Sequence, residues 1–112
     1  MKLLQLPVDD TSLKLSVEER FKKLVEQWRE ERPPSSFIEH HVMCPAYQQI
    51  IGMGREVIPL LLHELEQKPD WWIWALMAIT GADPVDPQHE RNLREMAKDW
   101  LEWGHKYGYY HS

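Results

Sequence analysis

The chain has 112 residues, of which 43% are hydrophobic and 28% are charged, and its formal net charge is −5. This length suits one domain with a buried core, and the hydrophobic content excludes a wholly disordered chain. No apolar run approaches the roughly 20 residues that a membrane-spanning helix needs, so we expect no membrane partner.

Two features predict where the protein works. The first ten residues, MKLLQLPVDD, are too short and too soon acidic for a signal peptide. Cys44 is the only cysteine, which excludes an internal disulfide and suits a reducing compartment. We therefore expect a cytoplasmic protein.

Residues 1–15 alternate weakly between apolar and polar side chains, with turn-forming residues at positions 9–12. Pro7 favours an edge position for any strand there. We predict an irregular or hairpin-like N-terminal arm over residues 1–15, followed by a single helical domain over residues 16–112. The leucines of such an arm are a candidate surface for self-association.

The clearest helical pattern covers residues 16–32. Ser16 and Glu19 match a capping box, and Pro33 ends the helix. A short helix follows over residues 37–42, with Ser35 or Ser36 as its cap. The apolar face of the first helix contains Val17, Phe21, Leu24, Val25 and Trp28.

A third helix is expected to open at Pro45 and to end near Gly52 and Gly54. The next helix begins at Gly54, and Pro69 should stop it at Gln67 or Lys68.

Residues 71–80 then form an uncharged helix, for which Asp70 is the predicted N-cap and Gly81 the left-handed stop. A helix that is apolar all round is usually buried on most sides.

The last predicted helix starts with Asp86 as N-cap and Pro87 in its first turn. Leu93, Met96, Ala97, Trp100 and Leu101 form its apolar stripe. Gly104 should end or weaken this helix.

Together these segments predict an all-α, compact bundle of about five helices. From Gly54 the spacing G-x-x-V-I-P-x-L-L-x-x-L is similar to the second helix of a HEAT-type repeat. That resemblance implies a degenerate HEAT-like helix pair. Since no second copy occurs at a fixed period, it does not imply a solenoid.

A second resemblance covers roughly residues 44–104, through the strings CPAYQQIIGMG, WALMAITGADPV and WLEWG. These strings resemble a family of small uncharacterised bacterial proteins. The resemblance implies a compact companion of another protein, and it implies no activity.

His40, His41 and Cys44 are the residues closest to a reactive cluster. A dipole at the helix that follows Cys44 would lower the thiol pKa, and a neighbouring histidine could act as its base. However, neither H-E-x-x-H nor C-x-x-C spacing is present. We therefore predict no catalytic, cofactor-binding or metal residues, and keep a small enzyme or metal-binding protein built on these three residues as the alternative.

The charge distribution disfavours nucleic acid as a partner. Residues 70–112 carry four basic and seven acidic groups, and the chain has no basic run. Proteins that bind phosphate backbones need clustered Lys and Arg, so a nucleic-acid adaptor is only a second alternative.

The chain has more large aromatic side chains than a small core readily holds, and interfaces are enriched in the same residue types. On a helix, Trp72 points away from the face shared by Trp71 and Trp74, so it is either covered by a neighbour or exposed. We predict a non-catalytic protein-binding module, an accessory or neutralising (antitoxin- or immunity-like) partner of another bacterial protein, or a self-associating chain. The candidate contact residues are Trp71, Trp72, Trp103, Tyr107, Tyr109 and Tyr110.

Overall fold

The computed structural model describes the backbone of residues 6–110 and the side chains of residues 17–110. Within this range the chain forms six α-helices and two short 3₁₀ turns, with no strand, which confirms the predicted all-α bundle of about five helices. None of these helices combines the length and apolar character required to cross a membrane. The helices are α1 (Leu6–Glu31), α2 (Ile38–Val42), α3 (Pro45–Gly52), α4 (Ile58–Gln67), α5 (Trp72–Thr80) and α6 (Leu93–Lys106).

Helix α1 begins earlier than the sequence indicated. It is continuous from Leu6, so the predicted irregular or hairpin-like arm is wrong for residues 6–15, and Ser16 lies inside the helix instead of capping it. Residues 1–5 of that arm lie outside the described part. Pro7 is compatible with a helix here because it falls in the first turn, where its missing N–H is not needed.

The centre of the core is an aromatic stack between α1, α3 and α5. The ring centroids of Trp28 and Trp72 are 4.5 Å apart. Tyr47 lies parallel to Trp72, with an interplanar angle of 3° and a centroid separation of 5.5 Å. The Tyr47 hydroxyl donates to the carbonyl of Trp71 at 2.5 Å and accepts from the N–H of Ala75 at 2.8 Å. The first turn of α5 is therefore connected to α3 by the hydrogen bonds of one buried side chain.

Several predicted helix ends are confirmed: Cys44 and Pro45 begin α3, and α4 ends at Gln67. The predicted start at Gly54 is wrong, because residues Gly54–Val57 form a 3₁₀ turn and α4 begins at Ile58. Gly54 and Gly81 both have positive φ angles, 79° and 75°, which glycine adopts without steric cost. The turn at Gly54 lies between α3 and α4, and the turn at Gly81 ends α5.

Asp70 does not occupy the N-cap position that the sequence predicted for it. Helix α5 begins at Trp72, and the position before it is Trp71, which makes no side-chain capping bond. The Asp70 carboxylate instead accepts from the Trp71 N–H and from Arg32, both at 2.9 Å. The partly buried Arg32, which directly follows α1, competes for the carboxylate that would otherwise cap α5.

The start and end of α6 also differ from the prediction. Asp86 accepts from the Gln88 N–H, but this cap opens only a 3₁₀ turn, Pro87–His89. Helix α6 starts at Leu93, where Asn92 accepts from the N–H of Glu95.

Gly104 neither ends nor interrupts α6, which continues to Lys106. A Cβ atom at Gly104 would lie 2.6 Å from Leu62 Cδ1, so the glycine is required by the close approach of α4 and α6.

Candidate partner-binding site

An open apolar groove lies between α5, α6 and the segment of residues 82–92 that joins them. Its cavity volume is about 460 Å³, within the range of ligand and side-chain binding pockets. Asp83, Glu90 and Arg91 are the charged residues of its lining. The apolar lining of the groove comprises Trp71, Ile73, Trp74, Met77, Val85, Leu93 and Met96.

Trp71 and Trp74 form one wall of the groove, and both rings are already held in place. Their centroids are 5.5 Å apart, and Trp71 also stacks on His41 at 5.3 Å with an interplanar angle of 26°. Both tryptophans are half-buried. Side chains ordered before binding lose little conformational entropy when a ligand covers them.

The segment of residues 82–92 is fastened to α6 by Asp99. Its carboxylate accepts from the backbone N–H of Asp86 at 3.0 Å and from His89 Nδ1 at 2.7 Å. The hydrogen bond to Asp99 raises the pKa of His89, and the nearby carboxylates of Asp86 and Glu95 act in the same direction. Arg91 has a φ of 81°, an uncommon conformation for a residue with a side chain. This segment therefore has a defined path past the groove.

A second group of aromatic rings, which we name the Trp103 cluster, lies at the end of α6. Trp103 stacks on Tyr109 at 5.3 Å with an interplanar angle of 8°, and it lies 5.4 Å from Tyr107. Arg55 Nη1 donates to the Tyr109 hydroxyl at 2.7 Å. Tyr107 is 58% exposed. Asp83 lines both the groove and a shallow cavity next to Trp103, so the two aromatic surfaces are neighbours.

Four of the six predicted contact residues are on these two surfaces. Trp71 lines the groove, and Trp103, Tyr107 and Tyr109 form the Trp103 cluster.

The other two predicted contact residues are buried within the chain. Trp72 is 0% exposed and Tyr110 is 7% exposed, so neither can touch a partner in the folded protein, and that part of the prediction is wrong. Burial, with a contribution from the Glu66 carboxylate, raises the pKa of Tyr110 to about 12.

Most of the groove was missed by the sequence reasoning. Trp74, Met77, Leu93 and Met96 have the same helical spacing as core residues, and periodicity alone cannot separate the two roles. The available signal was the composition of α5, whose nine residues include no charge. An uncharged helix has apolar side chains on every face, so any face without a neighbouring helix is also apolar.

His40, His41 and Cys44 make separate local contacts instead of converging on one point. His40 Nδ1 lies 2.7 Å from the Ser35 hydroxyl, and His41 Nε2 donates to the Ser35 carbonyl at 2.5 Å. The Cys44 thiol donates to the His40 carbonyl at 3.3 Å. Among the described residues, no group of three or more His, Cys, Asp or Glu could hold a metal ion.

The Cys44 thiol also has the opposite electrostatics from those expected at a reactive site. Burial raises its pKa, and the Glu31 carboxylate adds to this effect. The net shift is therefore opposite to the lowering that a helix dipole at this position could produce. A thiol that stays protonated is a poor nucleophile.

Comparisons of the chain with family models, with curated proteins and with solved structures found no match. The class that the fold and the surface define is a small all-α domain with an open, aromatic-lined groove. The groove and the Trp103 cluster are therefore the surfaces from which a function can be inferred.

Proposed function

We propose that this protein is a non-catalytic protein-binding module and that the groove is its main contact surface. The observation that supports this most directly is the half-buried apolar wall of the groove formed by Trp71, Trp74 and Met77. Tryptophan and methionine are enriched at protein interfaces and depleted on ordinary solvent-facing surfaces.

The organisation of this surface suits protein recognition. Interface free energy is concentrated in a few aromatic side chains, each worth about 2 kcal/mol or more when truncated, and these sit inside a rim that excludes water. The groove supplies two ordered tryptophans, and Asp83, Glu90 and Arg91 supply a polar rim. The Trp103 cluster beside it extends the same kind of surface.

The biological role we propose is an accessory or neutralising partner, of the antitoxin or immunity type, for another bacterial protein. The excess of carboxylates supports this role, because an acidic domain can cover a basic surface on its target. A product encoded beside this chain is the first candidate to test.

Site-specific photocrosslinking in the native host tests the proposal. Trp74 is replaced by a photoreactive phenylalanine analogue, and the matched control carries the analogue at Gln49, an exposed residue of α3 outside the groove. We expect one protein to be crosslinked from position 74 and not from position 49. The proposal is overturned if position 74 gives no adduct, or if both positions give the same set of adducts.

A further inference from the structure

We propose that the occupant of the groove is a basic amphipathic helix of the partner, whose apolar stripe enters the groove while its Lys or Arg residues pair with the acidic rim. This inference rests on the proposed function and specifies the chemistry of the ligand. It follows from two observations, the spacing of the apolar side chains along each wall of the groove and the charges around them.

The spacing of the walls matches a helix. Trp71, Trp74 and Met77 follow one another at intervals of three residues, so they extend along roughly 9 Å of the α5 wall. Leu93 and Met96 repeat the same interval on α6. An incoming helix presents apolar side chains at i, i+3 or i+4, and i+7, which span roughly 10 Å. Two or three successive anchors can therefore lie between the walls.

The charges next to the groove are mainly negative. The segment of residues 82–92 contains three acidic residues and one basic residue, Arg91. Asp83 and Glu90 in the groove are exposed and form no ion pair with the side chains described in the structure, although Asp83 accepts from the N–H of Val85. Carboxylates without a cationic partner beside an apolar wall favour a ligand with cations flanking its apolar stripe.

The same charges argue against a second copy of this chain as the occupant. The acidic rim would have to approach another molecule with a net charge of −5. Like charges brought together at an interface oppose association, whereas a basic helix is attracted from a distance.

Binding of synthetic peptides tests the inference. Two fluorescent peptides of equal length carry identical leucines at i, i+3, i+4 and i+7, flanked by lysines in one and by glutamates in its twin. We expect the basic peptide to bind at least about tenfold more tightly at low ionic strength. Raising the salt to roughly 0.5 M should shrink this difference, since the carboxylates concerned are exposed.

Charge reversal in the protein locates the effect. The variant Asp83→Lys with Glu90→Lys should lose the preference for the basic peptide. A matched control, Glu30→Lys with Glu56→Lys, changes the net charge equally at exposed positions outside the groove and should keep it. Trp74→Ala should weaken the binding of both peptides. Equal effects of the two double variants would overturn the inference, because attraction would then depend only on net charge.

The remaining outcomes separate this inference from the proposed function. If both peptides bind equally and Trp74→Ala weakens the binding of both, the groove binds protein segments, but the inferred preference for a basic ligand is wrong. If neither peptide binds while position 74 still crosslinks to one protein, the inference that the ligand is a helix is wrong, and the proposed function stands. Concentration-dependent dimerisation that Trp74→Ala abolishes, measured by sedimentation equilibrium, would assign the groove to a second copy and overturn the inference.

Discussion

Two tryptophans that are separated by one residue in the chain have opposite roles in the molecule. Trp72 is enclosed by Trp28 and Tyr47, with ring centroids at 4.5 and 5.5 Å, whereas Trp74 is half-buried and lines the groove. Both belong to the same uncharged helix, and their residue type is identical. The position of each ring relative to α1 and α3 decides whether it stabilises the fold or remains available for contact.

This difference predicts unequal effects of truncation. Trp72→Ala should cost about 3–5 kcal/mol of unfolding free energy, because it leaves a cavity at the centre of the core. Trp74→Ala should cost less than half as much, since its ring already contacts solvent. Guanidinium unfolding followed by circular dichroism measures both values. Equal losses would mean that Trp74 is a core residue and that the groove is not a free surface.

Gly104 shows how one residue sets the distance between two helices. Leu62 Cδ1 and the Cβ of Tyr110 would lie 2.6 and 3.0 Å from a Cβ at this position. Leu62 is fully buried, so its side chain has little room to move. The absence of a side chain at Gly104 is therefore a packing requirement.

Gly104→Ala should consequently lower stability by about 1 kcal/mol or more, since overpacking outweighs the gain in helix propensity. Gly52→Ala is the matched control, because it also lies in a helix but has no atom within 4 Å of the added Cβ. The control should be neutral or stabilising by up to about 1 kcal/mol. Urea unfolding of both variants distinguishes them, and a stabilised Gly104→Ala protein would contradict the packing argument.

At the scale of elements, the segment of residues 82–92 depends on side chains that the sequence places ten and more residues apart. Asp99 on α6 binds both the Asp86 N–H and the His89 ring. Helix propensity does not predict such a contact, because the two groups meet only when the segment turns back on α6. Through this contact the segment presents Val85 and Glu90 to the groove.

The raised pKa of His89 predicts a pH dependence of stability. A histidine whose folded pKa exceeds its unfolded value near 6.5 stabilises the fold below pH 6.5 and loses this contribution as the pH rises through the folded pKa. The stability difference between the wild type and His89→Gln should therefore be largest below pH 6.5 and shrink above it. Thermal unfolding across this pH range measures the difference, and nuclear magnetic resonance titration should show that Asp99→Asn lowers the His89 pKa. A difference that does not change with pH would contradict the ion pair.

At the scale of the whole molecule, the buried side chains of the described helices form one hydrophobic cluster. The cluster runs from Phe21 on α1 through Tyr47 and Trp72 to Trp100 on α6. The described helices share this one core, and none of them has a separate core of its own. We therefore expect the protein to unfold as a single cooperative unit.

Cooperative unfolding has a direct test. Tryptophan fluorescence, which reports mainly on the core, and far-ultraviolet circular dichroism, which reports on the helices, should give coincident urea transitions. Separated midpoints would show that part of the bundle, such as α6 with the segment before it, unfolds independently.

Local chemistry was sufficient to predict several features of this protein. Pro45, Pro69 and Gly81 set helix boundaries through steric limits on their own backbones, so their effects do not depend on the rest of the fold. The all-α class followed from the repeated helical spacing of apolar residues. The HEAT-like helix pair and the resemblance to a bacterial family stay predictions.

Other features were decided only when the helices came together. Arg32 pairs with Asp70 in place of the expected cap, the core encloses Trp72 and Tyr110, and Trp74 stays half-buried in the lining of the groove. A sequence determines which side chains are apolar and on which helical face they lie. Which of those faces finds a neighbour depends on contacts between residues far apart in the chain, and here that choice separates the core from the candidate binding surface.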